Sequence, residues 1–352
     1  MCAEFWNGWF DHWGERHHTR PAADAAQALD EILSAGASVS LYMFHGGTNF
    51  GFMSGANAAP GPRFQPAVTS YDYDAALDEA GNPTPKYAAF REVIARHSGQ
   101  APAPIPASSP ARAFGRVALP DSAILFEQLD RLSSPVESAN PQTMEALDQD
   151  YGLILYRTQV SGPRGEVKLT VAGLHDRAQV YQDGKLLGIL ERERPTRLPK
   201  VSVPAGGSTL EFLVENMSRV NYGPELNDRK GITGGVLLGQ QFLFGWANYP
   251  IPLDDLSRLR FTAGLPDRCP AFLRGQLQVD RPADTYLALP GWTKGLVWLN
   301  GFNLGRYWKR GPQKTLFIPG ALLVEGTNEL VILELEGLRK PQVELRDKAD
   351  LG

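Results

Sequence analysis

The run Val180-Tyr181-Gln182-Asp183-Gly184-Lys185-Leu186-Leu187-Gly188 recurs in pattern as Val297-Trp298-Leu299-Asn300-Gly301-Phe302-Asn303-Leu304-Gly305. Each copy sets Asp-Gly or Asn-Gly between two β-prone runs, the strongest local signal for a type I′ hairpin. The parallel continues downstream, where GGSTLEFLVE from Gly206 matches GTNELVILE from Gly326. A repeated hairpin followed by a repeated strand restricts this half of the chain to two copies of one β unit. Two tandem β-sandwich or jelly-roll domains are expected. Apolar runs at 153–159, 166–171, 210–214 and 330–335, separated by Gly, Pro, Asn and Asp, agree with that all-β reading.

The first hundred residues follow another rhythm. Residues 21–35 place Ala28, Leu29, Ile32 and Leu33 on one helical face and stop at Gly36. Residues 38–44 (SVSLYMF) read as a short strand of the buried kind. Farther on, Thr84 supplies an N-cap and Pro85 a first helical position, and Tyr87, Phe90, Val93 and Ile94 form an apolar stripe to about His97. The order is strand end, helix, strand, helix, as in two βα units of a (β/α)₈ barrel. A whole barrel takes roughly 250 residues, and only Met1 to Ala3 precede Glu4, so the other strands are expected from outside this sequence. Residues 98–112, rich in Pro, Ser and Ala, read as an extended connector. The expected fold is therefore multidomain, α/β plus all-β: a barrel remnant at 1–97, a linker at 98–112, and sandwiches at 113–240 and 241–352.

Composition removes several functional classes. With 352 residues, 43% hydrophobic, a net charge of -4 and no basic stripe interleaved with aromatics, the chain suits a neutral polar ligand and not nucleic acid. No apolar run approaches the ~20 residues of a membrane span. No basic and apolar leader opens the sequence, which leaves the compartment unassigned, while the Ala, Arg and Pro content is of bacterial type. Cys2 and Cys269 are too few for a disulfide framework and are read as packing residues. No cofactor or metal is expected: His12, His17 and His18 lie in a loop without a further ligand cluster, and the glycine-rich turn at 45–51 lacks the Gly-Lys-Ser/Thr of a phosphate loop.

The chemistry concentrates at the N-terminus. In Glu4-Phe5-Trp6-Asn7-Gly8-Trp9-Phe10-Asp11-His12-Trp13 one carboxylate stands among indoles, whose flat faces stack on pyranose rings. Glu4 thus reads as half of a glycosidase carboxylate pair, whose members sit roughly 5 to 5.5 Å apart in retaining enzymes. Tyr42, at the end of the second strand, and Tyr71 and Tyr73, in a loop with Asp72 and Asp74, are candidate sugar contacts; the two acids are expected to cap or orient that loop. His175-Asp176-Arg177 has no nucleophile motif nearby, and Trp292, Trp298 and Trp308 are read as core.

EFWNGWFDHWG from Glu4, SLYMFHGGTNFGFMSGAN from Ser40, TSYDYDAALDEAG from Thr69 and PGWTKGLVWLNGFNLGRYW from Pro290 together resemble the family-35 glycoside hydrolases, the lysosomal-type β-galactosidases and their bacterial relatives. The resemblance implies that Glu4 is the nucleophile at the tip of barrel strand seven, that Tyr42 contacts nucleophile and sugar, and that Tyr73 and Trp9 line a galactose pocket. It also implies two galactose-binding-like sandwiches and a β-galactoside substrate. The family's acid/base glutamate, which follows an asparagine upstream of the nucleophile, has no counterpart here; Asn328-Glu329 lies in a β domain at the repeat position. The chain is therefore expected to be the C-terminal part of a retaining exo-β-galactosidase, inactive alone and partnered by the missing barrel half or by itself. The alternative is a non-catalytic carbohydrate-binding or assembly module with a vestigial barrel.

Overall fold

The computed structural model describes residues 1–58, 64–193 and 198–352. They are mostly β, with few helices. Two compact units emerge: Met1–Ser54 with Ala67–Ile124 and Phe261–Gly352, and Gly55–Pro66 with Leu125–Arg260.

In the first unit, β1 (Cys2–Trp6) and β2 (Val39–Tyr42) pair in parallel, with Trp6 opposite Tyr42. Helix α1 (Ala22–Ser34) connects them and α2 (Pro85–Ser98) follows, as the periodicity predicts. Strand alternation sends Phe5 to the helices, where it packs with Ala25, Leu29, Phe90 and Val93, and sends Glu4 and Trp6 to the opposite face. Beyond α1, Gly36 adopts φ +69°, the left-handed conformation its missing Cβ permits. Thr84 occupies the N-cap position of α2, but its hydroxyl donates to the carbonyls of Ala75 and Ala76 at 2.9 Å instead of accepting from the helix.

Two expectations for this region need correction. The second strand is shorter than 38–44 and only partly covered, because β1 is its one paired neighbour among the described residues. Ile94, assigned to the buried stripe of α2, is 43% exposed, whereas Lys86 is buried. Ile94 lines a groove of about 300 Å³ with Leu41, Phe44, Tyr87 and Pro102, beside that open strand.

The same unit contains a sandwich. Its larger sheet runs in the order Thr262–Ala263, Asp121–Ile124, Ala271–Val279, Gly326–Glu334, Lys294–Leu299, Phe302–Trp308. Its smaller sheet runs Thr315–Ile318, Thr285–Ala288, Gln342–Arg346, Gly115–Ala118. Leu273, Leu287, Val297, Ile318, Ile332 and Leu345 form the core with Trp292. Trp298 and Trp308 are buried as well.

The second unit is built on a sheet in the order Lys185–Glu191, Arg177–Gln182, Ser208–Glu215, Leu153–Val160, Trp246–Ile251, Val136–Ser138. Tyr156, Phe212 and Trp246 are its largest fully buried aromatics. Gly55–Ala58 pairs in parallel with Arg219–Tyr222 and antiparallel with Phe64–Pro66. Residues 59–63 of the glycine-rich region and 194–197 lie outside the described residues. Asn216, in the glycosylation-type run Asn216-Met217-Ser218, is buried, its Nδ2 donating to Asp150 O at 2.9 Å.

Both repeated hairpins form. Asp183 and Gly184 have φ +50° and +75°, and Asn300 and Gly301 have +49° and +80°, the type I′ signature. In both, the turn residue's Oδ1 accepts a backbone N–H of the following repeat strand: Thr209 N–H at 2.8 Å for Asp183, Glu329 N–H at 2.9 Å for Asn300. Strand pairing crosses the expected boundaries, however. Gly115–Ala118 and Asp121–Ile124, assigned to a first sandwich starting at 113, complete the sheets of the other sandwich. Trp246–Ile251, beyond 240, extends the sheet of Leu153–Val160. Unpaired sheet edges are satisfied by strands far away in sequence, and composition does not mark which.

Candidate active site

Glu4 and Trp6 leave the same face of β1, and the Trp6 indole N–H donates to Glu4 Oε2 at 3.0 Å. Tyr42 lies beside Trp6 on β2, and its hydroxyl is 3.5 Å from that of Tyr71. Around this edge the rings form a continuous wall. Trp6 meets Trp9 edge-on at 5.0 Å, Trp9 stacks on Phe10 at 5.1 Å, and Phe10 stacks on Tyr71 at 5.6 Å. Tyr73 closes the cluster, 5.6 Å from both Tyr42 and Tyr71 and 6.2 Å from Trp9.

The four residues singled out from the sequence, Glu4, Trp9, Tyr42 and Tyr73, thus fall in one cluster, with unequal exposure. Trp6 is 53% exposed and Tyr42 36%, whereas Tyr73 is 2% exposed and its buried hydroxyl finds no partner among the described residues. Burial raises the hydroxyl pKa of Tyr71, helped by the Tyr42 hydroxyl and the Glu4 carboxylate; burial and the same two groups raise Tyr73. Both tyrosines are therefore hydrogen-bond donors across the neutral range.

Two glycines explain how the tyrosine loop reaches β1. A Cβ on Gly8 would lie 1.8 Å from the Tyr73 carbonyl oxygen, and one on Gly46 would lie 1.8 Å from that of Tyr71. The loop is then held by its acids. Asp72 accepts the backbone N–H of Glu79 and of Asp74, both at 3.1 Å. Asp74 receives the Lys86 ammonium and the Arg20 N–H, and Lys86 also donates to Asn7 O at 2.7 Å. Arg20 Nη1 reaches Trp6 O at 3.0 Å.

The histidines are engaged by carboxylates. Asp11 bonds His17 Nδ1 at 2.7 Å and His18 Nδ1 at 2.8 Å, and Glu15 bonds His12 Nδ1 at 2.8 Å. Burial opposes ionisation of Asp11, but the histidine hydrogen bonds outweigh it and hold the carboxyl below its usual range, while Asp11 raises His17. The glycine-rich turn is bound to the tyrosine loop, Gly47 O accepting Tyr71 N–H at 2.9 Å.

Sequence reasoning missed Trp6 as the partner of Glu4, and Lys86. The i, i+2 spacing in a strand was the available signal for Trp6. Lys86 had none, since a lysine in the first turn of an amphipathic helix ordinarily faces water.

Comparison with known proteins gives this arrangement its class. The profile described as "Glycosyl hydrolases family 35" matches residues 1–97. "Beta-galactosidase, first all-beta domain" matches 141–252, and "Beta-galactosidase, galactose-binding domain" matches 270–328. These three matches join a segment of a glycosyl hydrolase family to two β-domain segments in one chain. A "Beta-galactosidase" of Xanthomonas manihotis is 44% identical over 321 residues, 90% of this chain and 53% of that protein. A "Beta-galactosidase-1-like protein" of Mus musculus is 43% identical over 99% of this chain and 56% of its own length, and a "Beta-galactosidase" of Homo sapiens is 41% identical over 95% and 53%. The chain belongs to glycosyl hydrolase family 35. It spans about half the length of the curated relatives it matches.

Proposed function

We propose that this chain carries the nucleophile side of a retaining exo-β-galactosidase, with Glu4 attacking the anomeric carbon of a terminal β-galactose. Trp9 supplies a stacking face, and Tyr42 and Tyr73 bound the pocket, with the Tyr42 hydroxyl at its open rim. In this reading β1 and β2 are the closing strands of a (β/α)₈ barrel, and the groove beside β2 and α2 receives its neighbouring unit. Two galactose-binding-like sandwiches follow.

The observation that carries the reading is the shared environment of one carboxylate and three tyrosines. Glu4 and Tyr42 stand on paired strand ends, and the Glu4 charge acts on both Tyr71 and Tyr73. A double displacement then forms a glycosyl ester on Glu4, which water cleaves. The general acid has to come from elsewhere, because the nearby acids are committed. Asp11 holds two histidines, Asp72 two backbone N–H groups, and Asp74 Lys86. That commitment also favours, as a second reading, a chain that by itself holds sugar without cleaving it.

Hydrolysis of an aryl β-galactoside tests the proposal. The chain alone should turn over negligibly, and mixing with a polypeptide bearing the remaining barrel units of a family-35 enzyme should restore activity. Glu4→Gln should remove that activity by at least on the order of 10³-fold. Undiminished activity of the Glu4→Gln mixture would overturn the assignment. Galactose binding that survives deletion of residues 1–97 would favour the binding module.

A further inference from the structure

Behind the aromatic wall lies a carboxyl that the proposed chemistry does not use. Glu79 is 4% exposed. Thr48 Oγ1 donates to its Oε1 at 2.7 Å, while the buried Oε2 has no partner among the described residues. No cation pairs with it among the described residues. Its surroundings are instead acidic or neutral: Asp72 and Asp78 add negative charge, the His45 ring meets its carbonyl at 3.3 Å, and Tyr286 lies within its field. Burial, reinforced by Asp72 and Asp78, pushes Glu79 up to about 8.

The position of this group gives its protonation a structural reach. Thr48 belongs to the glycine-rich turn, and Ser70 opens the loop of Tyr71 and Tyr73. The two segments run together through Asn49 N–H to Thr69 O at 2.8 Å and Tyr71 N–H to Gly47 O at 2.9 Å. The Glu79 backbone N–H in turn binds Asp72 Oδ1, inside the tyrosine loop. Glu79 therefore holds the turn through its carboxyl on Thr48 and the tyrosine loop through its N–H on Asp72. A charge placed there would be desolvated and repelled by Asp72.

We propose that Glu79 is a positioning residue for the aromatic site: as a neutral acid buried between the Thr48 turn and the Asp72 loop it fixes Tyr71 and Tyr73 against Trp9 and Phe10, and ionisation of the buried carboxyl loosens them. The role rests on the reading of that wall as a sugar site. The sign follows from a raised folded-state pKa. The stabilisation is complete below the ordinary value of 4.5, declines as pH rises, and is lost as pH passes about 8.

Near-UV circular dichroism and calorimetric galactose titration of the full chain, each between about pH 6 and about pH 9, test the proposal. The aromatic signal should change with a midpoint near 8. Galactose affinity should fall about tenfold over the upper part of that range, the loss expected one unit above such a midpoint. Glu79→Gln keeps the neutral shape and should remove both pH dependences. Thr48→Val should weaken the signal at every pH, with thermal melts confirming that both variants fold. A flat wild-type profile, or an unshifted midpoint in Glu79→Gln, overturns the proposal. If the midpoint behaves as stated but galactose binds at no pH, positioning stands and the sugar-site reading fails. If galactose binds without any pH-linked aromatic change, the sugar site stands and the role of Glu79 fails.

Discussion

The Trp6 indole N–H donates to Glu4 Oε2 at 3.0 Å, two residues along one strand. That bond orients the carboxylate from its own element, independently of any loop. Trp6→Phe keeps a ring on the same face and deletes the donor. A hydrogen bond to a charged group contributes about 1.5 to 3 kcal/mol, and exposure places this one at the lower end. The reconstituted enzyme should lose roughly tenfold in kcat/KM toward an aryl galactoside, with the fold stability nearly unchanged.

Gly8→Ala should be far more damaging than its size suggests. The added methyl would stand 1.8 Å from the Tyr73 carbonyl oxygen, which is backbone and cannot rotate away. The tyrosine loop must shift, at a cost of about 3 kcal/mol. Denaturant unfolding should show the loss, and galactose binding should vanish with it. Gly46→Ala should reproduce the effect through Tyr71.

Lys230 is fully buried between Asp176, at 2.8 and 2.9 Å, and Asp228, at 2.9 Å. Lys230→Met leaves two buried carboxylates with one fewer counter-charge, costing about 3 to 5 kcal/mol. A melting scan should find the second unit destabilised.

The same cluster sets an acid limit. Burial works against the Asp228 charge, but hydrogen bonds from His175 and Arg192 and the charge of Lys230 prevail and depress its pKa well below 3.8. A depressed folded value means stability that is present above 3.8 and drains away as pH falls beneath it. Acid titration followed by Trp246 burial should show this unit unfolding below about pH 4, and Arg192→Met should raise the midpoint.

Asn300 carries φ +49° and anchors Glu329 N–H. Asn300→Ala meets left-handed strain and loses the side-chain bonds to Glu329 N–H, Leu322 O and Asn328 Oδ1, for about 2 kcal/mol or more. Asn300→Gly loses the same side-chain bonds without the left-handed strain and should cost less. Denaturant midpoints of the two variants give the comparison, and Asp183→Ala against Asp183→Gly should repeat it in the other repeat.

Local signals carried far along this chain. Asp183-Gly184 and Asn300-Gly301 announced their turns, Pro85 and Gly36 bounded helices, and the positions of Glu4, Trp9, Tyr42 and Tyr73 were evident from motif and order. Partner choice was not evident. Nothing in Gly55–Ala58 names Arg219–Tyr222 as its neighbour, and period-two alternation tells a strand which face it buries but not beside which strand. The buried charges were hidden for a related reason. Lys86 and Lys230 look like solvated lysines until Asp74 and Asp176, distant in sequence, are brought to them.

Trp6 stands apart from most of the chain's seven tryptophans. Trp13, Trp246, Trp292, Trp298 and Trp308 are each at most 8% exposed, while Trp6 is 53% exposed against the Glu4 carboxylate. Its emission should lie at the red edge of the spectrum, where the shielded indoles contribute little. A ligand settling on the proposed site would dehydrate this indole, so the native protein carries an optical reporter of occupancy there.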